Sequence, residues 1–192
     1  MDNFTFLVEH LQKASINHTP FVIALLGFGG SGKTTLAQKL SENLENSIVI
    51  HLDDFIVDRL SVRSADWDGF DFERLKCQVL EPLRAGENQI EYNVYDWRSN
   101  TLQSKKKVDI GGYVIIEGLG IIRDELKQYF DYTLWIDVPL EIASDRGKKR
   151  DRENRGDDHH DKFWDEIWTP NDRDYFEKYQ PMHKADYVFK AV

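Results

Sequence analysis

An apolar run, PFVIALLG (Pro20–Gly27), leads straight into the segment GFGGSGKTT, and a helix-forming stretch follows from Lys33. No other feature constrains the chain as strongly. The segment fits G-x-x-x-x-G-K-[ST] at Gly27, Gly32, Lys33 and Thr34. Its glycines permit a turn tight enough for successive backbone N–H groups to point inward at phosphate oxygens. The following helix directs its positive end at the same point. Lys33 has the reach and charge for β- and γ-phosphates, and the Thr34 hydroxyl suits Mg²⁺. A buried strand before such a loop and a helix after it are the setting in which it cradles a nucleotide. Gly27, Gly29, Gly30, Ser31, Gly32, Lys33, Thr34 and Thr35 are the expected nucleotide-binding residues, with ATP and Mg²⁺ as cofactors.

Further apolar runs, SIVIHL (Ser47–Leu52), YVIIEG (Tyr113–Gly118) and YTLWIDV (Tyr132–Val138), read as strands buried on both faces, and DYVF (Asp186–Phe189) as a short closing strand. Amphipathic stretches lie between them. Phe4, Leu7, Val8 and Leu11 share one face of a helix over about residues 4–14. Asp71 caps a helix running to Leu83 and closed by Gly86. Helices are expected over about 139–150, 160–167 and 172–179, and QIEYNVYDW alternates like an edge strand. Buried strands alternating with helices give an α/β fold, a parallel sheet of about five strands with helices on both faces. Ligands on such sheets bind at the carboxyl ends of the strands.

The 192 residues suit a single domain spanning 1–192. One cysteine, Cys77, rules out a disulfide framework within a monomer and favours a reducing, cytoplasmic setting. Its spacing from Leu75, Val79 and Leu80 reads as a small buried side chain. A net charge of −9 argues against nucleic acid as a partner, because duplex binding needs a basic footprint. No apolar run has the length of a membrane span. A small, charged ligand fits the remaining basic stretches, SKKK (Ser104–Lys107) and RGKKRDRENR (Arg146–Arg155).

If the loop closes the first strand, catalytic acids belong at neighbouring strand ends. Asp53 and Asp54 follow IVIHL, and Glu117 follows YVII. One such position can serve the metal and the other can take a hydroxyl proton. An extended exit from the strand would turn Asp53 and Asp54 to opposite sides. Arg146, Arg150, Arg152 and Arg155 lie on the segment expected between the last two long helices. Arginines on a closing segment offset charge on a transferring phosphoryl group.

At these positions the chain resembles the uridine kinase family and its P-loop relatives, the phosphoribulokinases and pantothenate kinases, over about Phe21 to Val188. GFGGSGKTT is similar to the family's G-x-S-G-S-G-K-T-T. LDDF resembles its D-x-F, GFDFERL its A-F-D-x-x-L-L, YDW its Y-D-F, VIIEG its V-I-x-E-G, and KRDRENRG the R-D-x-x-x-R-G of its lid. The resemblance implies a P-loop NTPase three-layer sandwich with a small helical lid at roughly 146–160. It implies an ATP-dependent phosphotransferase with an alcohol acceptor, a nucleoside first. Asp53, Lys33, Arg150 and Arg155 would be catalytic, and Thr34 and Glu117 would serve Mg²⁺. The acceptor would meet Asp53, Phe55, Phe70, Asp71, Tyr95 and Arg98. Family members are often oligomers, which extends the expectation to a homo-oligomer. Where the family has H-S-R after Y-D-F, this chain has RSN, with Arg98 in a shifted place, and residue 56 is Ile where Tyr is common. The acceptor therefore stays open between a nucleoside and a sugar, pantothenate-like or glycerate-like alcohol. A nucleotide-binding regulatory module without transfer activity is the remaining alternative.

Overall fold

The computed structural model describes residues 3–57, 67, 69–96, 98–156 and 158–190, apart from the side chain of Ser104. Five strands, β1 (Phe21–Leu26), β2 (Ser47–His51), β5 (Tyr113–Glu117), β6 (Tyr132–Asp137) and β7 (Tyr187–Lys190), form one sheet in the order β2-β5-β1-β6-β7. Every neighbouring pair is parallel. All six residues of the central strand β1 are buried, which is why its sequence is apolar without alternation. Helices on both faces complete three layers, the architecture of a P-loop NTPase. α1 (Asn3–Ala14) buries Leu7 and Leu11, and α2 (Lys33–Asn43) buries Leu36, Ala37 and Leu40. Among the described residues no helix is long and apolar enough to cross a membrane.

Register places the site. Glu117 pairs with Leu25 of β1 on one side and with His51 of β2 on the other. Three strands thus end at one level, and the residues that follow them converge above the sheet.

Several elements depart from the expectations. The chain does not leave β2 extended: Leu52–Phe55 form a 3₁₀ turn, so helical geometry rather than strand alternation separates Asp53 from Asp54. β3 (Gln89–Asp96) is not an edge of the main sheet. It pairs antiparallel with β4 (Thr101–Asp109), which contains the basic SKKK stretch, in a separate hairpin. α3 (Phe72–Leu75), a π turn (Lys76–Leu80) and α4 (Glu81–Arg84) run on as one helix. Cys77 is exposed rather than buried: two residues from both Leu75 and Val79, it points away from the face they bury.

The last two expected helices are also continuous. α6 (Asp161–Phe163), a π turn (Trp164–Trp168) and α7 (Thr169–Tyr179) form one run, followed by α8 (Pro181–Lys184). Pro170 has no N–H for the Glu166 carbonyl, and the π turn falls where that bond would have been. The basic stretch is not a connecting segment: α5 (Leu140–Arg155) carries it as helix to its last residue and ends at Gly156 in the left-handed conformation.

Candidate active site

A cleft of about 690 Å³ opens above the carboxyl ends of the strands. Its floor is the phosphate loop, from which Gly29, Gly30, Gly32, Lys33, Thr34 and Thr35 line it. The Lys33 ammonium donates to the carbonyls of Gly27 and Phe28, at 2.9 and 3.0 Å. Gly27 and Ser31 belong to the loop but do not line the cleft, and Ser31 is buried. Gly30 sits at φ +79°, and a Cβ there would come 2.1 Å from the Ala143 carbonyl of α5. The loop lies directly on that helix and leaves no room for a side chain at this position.

Beside the loop, the Thr34 hydroxyl donates to Glu117 Oε1 at 3.0 Å, and His51 Nδ1 lies 2.8 Å from the same oxygen. Glu117 is only 7% exposed. Burial alone would push its carboxyl up. The hydrogen bonds from His51 and Thr34 and the charge of Lys33 outweigh burial and hold it below the ordinary range. The Glu117 hydrogen bond raises His51 in turn. An ionised carboxylate beside a hydroxyl is a set of hard oxygen donors, the chemistry that a small divalent cation sharing phosphate oxygens takes.

Asp53 and Asp54 have different surroundings. Asp53 is exposed and lines the cleft. Asp54 is half-buried beside Tyr92, and desolvation raises its carboxyl above the usual range against the pull of Lys106 and His51. Burial and the nearby Asp54 carboxylate push the Tyr92 phenol up. The turn that carries both acids is held from behind by Arg74, itself buried. Arg74 donates to the carbonyls of Asp54 and Ile56, both at 3.1 Å, and lies over the Phe55 ring.

Arg146, Arg150 and Arg155 line the cleft from α5, whereas Arg152 pairs with Asp161. Of the residues expected to meet the acceptor, Asp53 and Phe70 line the cleft; Phe55, Asp71, Tyr95 and Arg98 do not. Phe55 is fully buried and stacks on Tyr92. Asp71 caps α3 by accepting from Arg74 N at 2.9 Å, and Tyr95 donates to Asn100. Arg98 lies exposed in the hairpin turn.

Among the polar and aromatic cleft residues, Trp164, Trp168 and Asp172 lie outside every motif, as does Trp67. Trp164, Trp168 and Asp172 fall at i, i+4 and i+8, the spacing of one helical stripe, which is the signal the sequence offers. Asp172 is 2% exposed and accepts from the Gly29 N–H at 2.7 Å.

A parallel sheet, a phosphate loop carrying Lys33 and Thr34, and an arginine helix above it define a P-loop kinase, an ATP-binding phosphotransferase. Comparison with known proteins narrows the class. A family model described as an AAA domain matches residues 23–169. The chain is 30% identical over 152 residues to the uridine kinase of Limosilactobacillus reuteri strain DSM 20016, covering 73% of this chain and 69% of that protein. It is 26% identical over 163 residues to uridine kinase-like protein 3 of Arabidopsis thaliana, covering 78% of this chain but only 34% of that longer protein. A solved structure described as a possible uridine kinase from Bacillus stearothermophilus superposes with a TM-score of 0.75 at 26% identity, over 98% of this chain and 97% of that one. Another, from Silicibacter sp. TM1040, superposes at 0.81 over 98% of both chains, and at 20% identity this shows the fold alone. The chain carries a domain of the AAA domain family and belongs to the uridine kinase-like P-loop kinases, which act on small molecules.

Proposed function

We propose that the protein transfers the γ-phosphoryl group of ATP to a hydroxyl of a nucleoside. The observation that carries this is the placement of Asp53: an exposed carboxylate in the same cleft as the phosphate loop and the α5 arginines. Asp53 accepts the proton of the acceptor hydroxyl and holds its oxygen in line with the γ-phosphorus. The new O–P bond forms as the bond to the β–γ bridging oxygen breaks, and ADP leaves. Lys33, Arg150 and Arg155 offset the negative charge on the transferring group. Thr34 and Glu117 would hold Mg²⁺, which when bound draws charge from the phosphate oxygens. The nucleoside is supported by the relatives' names and by Phe70, whose aromatic side chain borders the cleft near Asp53.

The test is acceptor-dependent ADP release across a panel of nucleosides, sugars, pantothenate and glycerate, with and without a chelator. We expect release with a nucleoside and its loss on chelation. Release with a sugar or another alcohol and with no nucleoside would overturn the acceptor. ATP binding with no release from any member would leave a regulatory nucleotide module instead.

A further inference from the structure

The wall behind the phosphate loop contains a buried carboxylate, an unexpected group so close to a site for a triphosphate. Asp172 of α7 is 2% exposed, and its Oδ2 accepts from the Gly29 N–H at 2.7 Å. The same helical stripe supplies Trp164, 4% exposed, whose ring lies against Gly29: a Cβ on Gly29 would come within 3.1 Å of it. The same six-membered edge of that ring also fills the space left by Gly147 of α5, where a Cβ would come within 2.3 Å. Trp164 Nε1–H donates to Asp151 Oδ2 at 2.8 Å, which fixes the ring in its slot.

Like charge beside ATP disfavours binding, so the carboxylate has to return something. Gly29 and Gly30 are the two adjacent residues of the loop with the widest conformational freedom, and a loop that must be ordered by its ligand loses affinity. A buried charged hydrogen bond to the Gly29 amide removes that freedom before the nucleotide arrives.

We propose that Asp172 is a positioning residue for the phosphate loop. Its carboxylate pins the Gly29 peptide toward α7, and the N–H groups of Gly30, Gly32, Lys33 and Thr34 are thereby preset for phosphate, while that of Ser31 donates to the Phe28 carbonyl at 3.0 Å. The Gly29 N–H itself stays with Asp172 rather than turning to the nucleotide. The inference rests on ATP binding at this loop and is independent of which acceptor is used.

Isothermal titration with ATP and Mg²⁺, without acceptor, separates the roles. Asp172→Ala should weaken ATP binding about tenfold, the lower end of the worth of a charged hydrogen bond. In Asp172→Asn the amide oxygen can still accept from Gly29 while the charge is gone, and its Kd should return to within about threefold of wild type. Equal affinity in all three proteins, equal loss in both variants, or tighter binding in both would overturn the proposal. A wild-type chain that binds no ATP would instead remove the reading of the loop on which it rests. Should the Ala variant fail to fold, the wild type decides. The Gly29 amide, followed by NMR in protein labelled with ¹⁵N-glycine, should be protected from hydrogen exchange both with and without ATP. Rapid exchange in either state would sink the idea.

Discussion

At its donor end the cleft is built from strand ends in register. Leu25, Glu117 and His51 stand side by side, and the phosphate loop and the α5 helix close over them. At the end proposed for the acceptor the wall is a 3₁₀ turn, Trp67 and Phe70, backed by a hairpin that belongs to a different sheet. Neighbouring backbone hydrogen bonds fix the first region. The second has only a short backbone bridge, with Asp71 N–H donating to the Phe55 carbonyl at 2.7 Å and Val57 N–H to that of Gly69 at 3.0 Å. It is tied further by Arg74, which joins the turn, the Asn93 carbonyl of the hairpin and α3. Chemistry common to a family needs the rigid part. The part that chooses an acceptor can be rebuilt by changing a few side chains without disturbing the sheet.

The largest expected effect lies where the two regions meet. Asp53 is the acid that the acceptor-side turn presents to the donor-side loop. Asp53→Asn should lower turnover about a hundredfold or more, the usual range for acid–base residues, while the Kd for ATP stays near wild type. Steady-state kinetics and ATP titration check the two halves separately. Unchanged turnover would remove Asp53 from the reaction, and lost ATP binding would make it part of the donor end.

The next effect concerns the adjacent carboxylate and is one of stability. Burial raises Asp54, so the folded protein holds this proton more tightly than the unfolded chain does. That preference favours folding at acid pH and is lost as pH rises through the folded-state value, leaving an ionised, half-buried Asp54 as a cost at neutral pH. Asp54→Asn should therefore raise the melting temperature at pH 7, by an amount equivalent to about 1 kcal/mol or less once solvent screening is allowed for. The gap from wild type should narrow toward pH 4. A variant that melts lower at pH 7 would mean that the Lys106 and His51 charges outweigh the burial of Asp54.

How legible the two regions were in the sequence follows the same division. β1, β2, β5 and β6 announce themselves because strands buried on both faces must be apolar throughout. The loop announces itself because few residue types can surround a phosphate with N–H groups. The acceptor side gives weaker signals. β4 is exposed along nearly its whole length, so it has no alternation to reveal it and SKKK reads only as charge. The continuity of the 161–179 helix is hidden because a π turn absorbs Pro170, which leaves no period in the sequence, whereas the exposure of Cys77 follows from its spacing of two from Leu75 and Val79. Asp172 and the two tryptophans were readable only as a stripe on a helix whose continuity was itself hidden.

The smallest effect is the sharpest probe of the comparison. Arg98 follows the YDW segment, where acceptor contacts are expected, yet it lies exposed in the turn between β3 and β4 and does not line the cleft. Its backbone N–H donates to Asp96 at 2.9 Å, a local bond that a change of side chain leaves in place. Arg98→Ala should accordingly change the acceptor KM by about twofold or less, the size of an ordinary surface substitution, and leave kcat alone. A tenfold rise in KM with kcat preserved would show that the hairpin folds over the cleft once the acceptor is bound. The acceptor end would then be assembled by its ligand, while the donor end is set in advance by the sheet.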